Sequence, residues 1–206
     1  MRIITISREF GSGGRELGKR IADELGFDYY DSEIVSAVAR ENNLDADYVE
    51  KNLDEHGWQK YPVTYRCSIG SSMYTQNNKV HLLLVQKHVL EEIAALGKDC
   101  VIVGRNADLI LQDYQPFRIF VCADMETKMQ RCKERAPENE NLIDKELKRK
   151  IKQIDKMRAQ TRTMLSGTPW GQRDTYNLTV NTSGWNMKEL AAAVAIFANR
   201  WFGREE

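Results

Sequence analysis

The chain has 206 residues, enough for one large domain or one domain with insertions, and 42% of them are hydrophobic, which suffices for a real core. Its 30 basic residues balance 30 acidic ones, so the overall charge argues for neither a nucleic-acid nor a membrane partner. The longest apolar run near the C-terminus, Leu190 to Ala198, is about half a membrane span, and the 4 cysteines, with no C-x-x-C pair, read as reduced thiols of a soluble, cytoplasmic protein.

The first predicted elements lie in residues 2 to 18, RIITISREFGSGGRELG. The apolar run Ile3 to Ile6 predicts a strand. Gly11, Ser12, Gly13 and Gly14 predict a turn, and Leu17, Ile21, Ala22 and Leu25 at helical spacing predict a helix. Such a turn lets successive backbone N–H groups converge on an anion, and the helix start adds unpaired donors and a positive dipole end. The phosphate-loop pattern G-x-x-x-x-G-K-[ST] also supplies a lysine for the phosphates and a hydroxyl for magnesium. Here Gly14 falls where the lysine belongs, or, slid by one residue, Gly14-Arg15-Glu16 stands for Gly-Lys-Thr. Either way the lysine is missing, Arg15 is the nearest cation, and Glu16 takes the place of the hydroxyl residue.

Gly26 ends the first helix, and FDYYD (27 to 31) predicts a second strand that closes on an acid. Helices follow over about 32–41, with Ser32 as N-cap, and about 45–55. Residues 56–78 show neither periodicity; their aromatic residues, Trp58, Tyr61, Tyr65 and Tyr74 among them, suit a substrate-side lid or a surface excursion with its own cluster. A helix over 79–96 leads to the strand 100–103, and a further strand spans 117–123. Continuous apolar strands alternating with helices indicate a parallel sheet covered on both faces. Helices over 125–134 and about 142–164, a strand within 175–183 and a helix over 187–202 complete the order. The predicted fold is α/β, a three-layer doubly wound parallel sheet of five strands in a single domain. Its core comprises 1–31, 79–124 and 175–202, with an insertion part at 32–78 and a lid part at 125–174.

Ligands of such sheets bind beyond the C-terminal strand ends, where Asp31, Gly104, Arg105 and the glycine turn collect. Arg105 could clamp a phosphate bidentately while Asn106 and Asp108 read a base edge; the alternative is an ordinary salt bridge or helix cap. Arg131 and Arg135, like Arg158 and Arg162, are four apart and share a helix face. Arginines on a closing lid suit phosphoryl transfer, which depends on charge stabilisation; the alternative is a solvated charged helix. Trp170 reads as a loop anchor, and the histidines have no metal-ligand spacing.

Taken together, SREFGSGGRELG, the YYD ending strand two, VIVGRNADLIL, DKMRAQTR, TPWG and YNLTVNTS occur in order over nearly the whole chain. In that combination the sequence resembles the cytidylate kinase-like proteins, a branch of the nucleoside monophosphate kinases. The resemblance implies a P-loop kinase fold, ATP and Mg2+ as cofactors, small-molecule nucleotide substrates, and phosphoryl transfer to CMP or dCMP. By the same resemblance Gly11, Ser12, Gly13, Gly14, Arg15 and Glu16 hold the donor phosphates. Asp31 and Ser32 open the acceptor site, Arg105 matches its G-R motif, Asn106 replaces that motif's aspartate with Asp108 as stand-in, and Arg40 is a displaced candidate for a first-helix arginine. Arg158 and Arg162 match lid arginines, so the candidate catalytic residues are Arg15, Arg158 and Arg162, with Glu16 the candidate for magnesium. Two other functions remain open: a nucleotide-binding protein without kinase activity, and a kinase for another small phosphorylated or hydroxylated acceptor.

Overall fold

The computed structural model describes residues 1–31, 76–104, 106–136 and 143–203. The helices expected over 32–41 and 45–55, with Ser32 and Arg40, lie outside the described residues, as do most of the 56–78 segment and Arg105.

Strands β1 (Ile3–Arg8), β2 (Asp28–Asp31), β3 (Cys100–Val103), β4 (Phe117–Cys122) and β5 (Leu178–Asn181) form one sheet in the order β2-β3-β1-β4-β5. Every pairing is parallel. The helices are α1 (Gly14–Leu25), α2 (Gln76–Ala95), the single turn α3 (Ala107–Ile110), α4 (Met125–Glu134), α5 (Asp144–Ser166) and α6 (Met187–Phe202). This is the three-layer α/β fold expected from the sequence. Two ends differ from expectation: α2 starts at Gln76, inside the segment read as irregular, and α5 runs on to Ser166, where Gly167 in the left-handed region stops it.

The strands are apolar on both faces because both faces are covered. On one side Ile4, Ile6, Val101, Val103, Ile119 and Val121 pack against Leu17 and Ile21 of α1 and Leu190, Ala191 and Val194 of α6. Alternate residues point the other way, and Ile3, Cys100 and Ile102 meet Val89, Leu90 and Ile93 of α2. Each such side chain contributes about 1.5–3 kcal/mol on burial. At Gly18 the packing leaves no room for a side chain, since a Cβ there would lie 2.7 Å from Cγ2 of Val103 and 2.9 Å from Cδ1 of Ile6.

A third, smaller cluster joins α4 and α5. Leu147, Ile151 and Ile154 surround Phe10, with Met125, Met129 and Met157 at its margin. Phe10 belongs to the glycine turn, so these two helices build their apolar contact around that turn. β1 lies between β3 and β4, and the chain crosses over it in passing from one to the other. The turn that follows β1 therefore sits at a switch point of the sheet, where α/β proteins bind ligands.

Candidate functional site

Between Arg8, the last residue of β1, and Gly14, the first of α1, the chain turns through Glu9 to Gly13. Gly13 is the N-cap, with φ 78°, and supplies no capping side chain. The first N–H groups of a helix have no partner within it, so this end of α1 presents donors and dipole to an anion. The turn is braced from behind. Nη1 of Arg131 donates to the Ser12 carbonyl (2.9 Å) and to Oγ1 of Thr182 (2.7 Å), and Nη2 donates to the Thr182 carbonyl (3.0 Å). Thr182 Oγ1 donates in turn to the Ser12 carbonyl (2.6 Å). Ser12 and Thr182 are fully buried. One guanidinium thus ties the turn, the end of β5 and α4 together.

The cation expected to replace the lysine points elsewhere. Nε of Arg15 donates to Oδ2 of Asp31 at 2.6 Å, and its Nη2 closes an ion pair with the same oxygen. Arg15 and Asp31 are therefore brought together, joining the start of α1 to the end of β2. Tyr29, also on β2, donates its hydroxyl to the Arg15 carbonyl (3.2 Å), and burial holds that phenol well above its ordinary pKa. Glu16 accepts from Arg20 (3.0 Å) through one oxygen and from Arg135 (2.6 Å) through the other.

A polar joint fixes α5. Asp155 accepts the Phe10 N–H at 2.7 Å, and Arg158 Nη1 donates to the Arg8 carbonyl at 2.8 Å. Lys128, on α4 and buried, donates to Glu9 (2.9 Å) and lies 3.8 Å from Asp155. Burial raises the Asp155 carboxyl above the usual carboxylate range, against the lowering effect of the Phe10 N–H and of Arg158 and Lys128. One turn further along, Arg162 closes an ion pair with Asp108, both of them almost entirely buried, and also donates to Thr168 Oγ1 (3.3 Å). The second oxygen of Asp108 has no hydrogen-bond partner among the described residues.

The sequence candidates thus fall into distinct places. Gly11 to Glu16 form the turn and helix start, and Arg158 lies against that turn. Arg162 and Asp108 meet each other beneath the end of β3. Asn106, with φ 53°, is the N-cap of α3 and serves the backbone turn there. Trp170 does anchor its loop, edge-on to Phe120 at 5.3 Å. The sequence reading passed over Arg8, Lys128 and Thr182. Only Arg8 carries a sequence signal, because with Gly13 as the last glycine of G-x-x-x-x-G the first glycine falls at position 8.

Glu16, the candidate for magnesium, is occupied by cations instead. Both Glu16 oxygens and Oδ2 of Asp31 are engaged by guanidinium groups, and no group of three or more His, Cys, Asp or Glu among the described residues could hold a metal ion.

Comparison with known proteins agrees with this architecture. A search of the curated proteins gave no match. Among solved structures, an uncharacterized protein from Eubacterium ventriosum superposes with a TM-score of 0.69 at 23% identity, over 97% of this chain and 99% of its own. The shikimate kinase of Acinetobacter baumannii, solved with shikimate, gives 0.55 at 12% identity over 99% and 96%. That of Bacteroides thetaiotaomicron gives 0.55 at 15% over 96% and 98%. At such identities the likeness establishes the fold, that of the P-loop kinases. The model of the cytidylate kinase-like family matches residues 3–184, from the first strand through the turn after the last, and so the chain that carries this glycine turn belongs to the cytidylate kinase-like family.

Proposed function

We propose that the protein transfers the terminal phosphoryl group of ATP to a nucleoside monophosphate, CMP or dCMP in first place. The observation that carries this reading is the glycine turn at the start of α1, left without a capping side chain and braced by Arg131 at the edge of a parallel sheet. Family membership supports phosphoryl transfer, and the resemblance of the motifs supports the cytidine acceptor.

In this reading the backbone of Gly11 to Glu16 cradles the donor phosphates. Arg105 holds the acceptor phosphate, and Asp31, Ser32 and Arg40 complete the acceptor side. Arg158, already against the turn, neutralises charge on the moving group. Arg162 holds α5 in place through Asp108. An acceptor phosphate is already a nucleophile at neutral pH, so alignment and charge stabilisation suffice without a general base. Magnesium would reach such a site on the ATP phosphates, which with water supply most of its oxygen ligands and would neutralise their charge.

One observation favours a second reading, a kinase for another small phosphorylated or hydroxylated acceptor. Asp108, the candidate for reading a cytosine edge, is 3% exposed and engaged by Arg162. The test is ADP release from ATP and magnesium with CMP, dCMP, UMP, AMP and dTMP in turn, with Arg105→Ala as control. The expected outcome is turnover on the cytidine nucleotides that falls about 100-fold in the control. Absence of turnover on all five would sink the nucleoside monophosphate reading.

A further inference from the structure

The loop of this protein lacks its lysine at Gly14, and the structure shows why no side chain could stand there. A Cβ on Gly14 would lie 2.7 Å from Cβ and 3.1 Å from Cγ of Arg8, and 3.3 Å from Cβ of Val121. Real Cβ atoms do not approach so closely, and the atoms in the way are the rigid root of the arginine and a β-branched side chain. The far end of the same arginine fills the space over a second glycine. A Cβ on Gly104 would lie 1.8 Å from Nη1 of Arg8. Gly104 also has φ 87°, which favours glycine independently.

These contacts trace the path of the Arg8 side chain. Its root rises beside the first residue of α1, and its guanidinium lies across the backbone of Gly104, at the end of β3 and immediately before Arg105. It thus spans from the phosphate turn to the acceptor edge of the sheet, and its own carbonyl is held by Arg158 (2.8 Å). In the pattern G-x-x-x-x-G-K, position 8 is the first glycine and position 14 the lysine; here one carries the cation and the other the glycine.

We infer that Arg8 is the phosphate-binding cation of this loop: the positive charge has moved from the second end of the turn to the first, with Gly14 and Gly104 kept bare to let it lie across the site. The inference rests on the proposed kinase reading for its place in a reaction, but it concerns polyphosphate binding and can be tested without an acceptor.

The experiment measures binding of inorganic tripolyphosphate by calorimetry to the full chain, with thermal melts to verify folding of each variant. Arg8→Met, which keeps most of the stem and removes the charge, is expected to weaken binding at least tenfold. Arg8→Gly is expected to do the same. The reciprocal double variant Arg8→Gly/Gly14→Lys restores the ordinary order of the motif and is expected to recover at least tenfold over Arg8→Gly. Gly14→Lys alone, with Arg8 in place, is expected to bind no better than the unaltered protein. Unchanged binding in Arg8→Met would overturn the assignment. So would a folded double variant as weak as Arg8→Gly, or an unaltered protein that does not bind tripolyphosphate. Loss of the kinase reading looks different, since tripolyphosphate binding would then remain sensitive to residue 8 while no acceptor yields ADP.

Discussion

Two long helices, α5 and α6, are held to the molecule by different physics. α6 presents Leu190, Ala191, Val194 and Ala198 to the sheet, and Trp201 lies tilted against Phe117 at 5.0 Å with Phe202 edge-on to it at 6.2 Å. These contacts are apolar and nondirectional, so their strength depends on area and fit. α5 has its own short apolar stripe around Phe10, but it meets the core through Asp155 on the Phe10 N–H, Arg158 on the Arg8 carbonyl and Arg162 on Asp108. Each of these contacts has a direction and a partner. The difference separates a helix that holds the fold together from one that fixes its neighbours in register, and the register it fixes is that of the phosphate turn.

The largest effect that would break this contrast is at the buried pair. Arg162→Met, which leaves Asp108 buried and uncompensated, is expected to destabilise by about 3–5 kcal/mol, whereas Arg162→Met with Asp108→Leu should return to the stability of the unaltered chain or exceed it. Urea denaturation of the three proteins measures both. If the double variant stayed as unstable as the single one, the pair would be a stabiliser in its own right.

Next in size comes the apolar helix. Leu190→Ala should cost about 2–4 kcal/mol by the same measurement, and tripolyphosphate affinity of the folded fraction should not change. A change in affinity would show that α6 also sets the turn, and the contrast would fail.

The smallest effects are pH slopes, and they have opposite signs. Burial raises Asp155, so the fold favours its protonated form; stability from this group is complete below the ordinary carboxylate pKa and is lost as pH rises through the raised value. Asp155→Asn should therefore make the melting temperature climb more steeply with pH above about 4. Asp124, the N-cap of α4, is lowered by the Thr127 N–H and by Ser183. Its contribution is present above the ordinary pKa and is lost as pH falls through the lowered value, so Asp124→Asn should make the acid decline shallower. Melting curves from acid to neutral pH distinguish the two; slopes of the same sign would contradict the assignments.

The fold was readable because strands buried on both faces are written as continuous apolar runs, such as CVIV at β3 and the run opening β1. The glycine turn was readable from composition. Partnerships across the chain were not. Arg158 and Arg162 do share the core-facing side of α5, as their spacing suggested, yet one turn of rise sends the first to the phosphate turn and the second to Asp108, 54 residues away in sequence. Glu16 shows both cases in one side chain, with Arg20 four residues on along the same helix and Arg135 on another element. Arg8 escaped notice because a charged residue at the end of a strand is ordinary until the glycines around it are seen to make room for it.

The contact at Gly18 bears on how this molecule can move. One turn below the phosphate cradle, α1 rests flush on Ile6 and Val103, with no gap into which it could tilt. The cradle and the central strands therefore form a fixed anvil. A single added methyl at that seat would lever the helix away from the sheet and turn aside every backbone N–H at its tip.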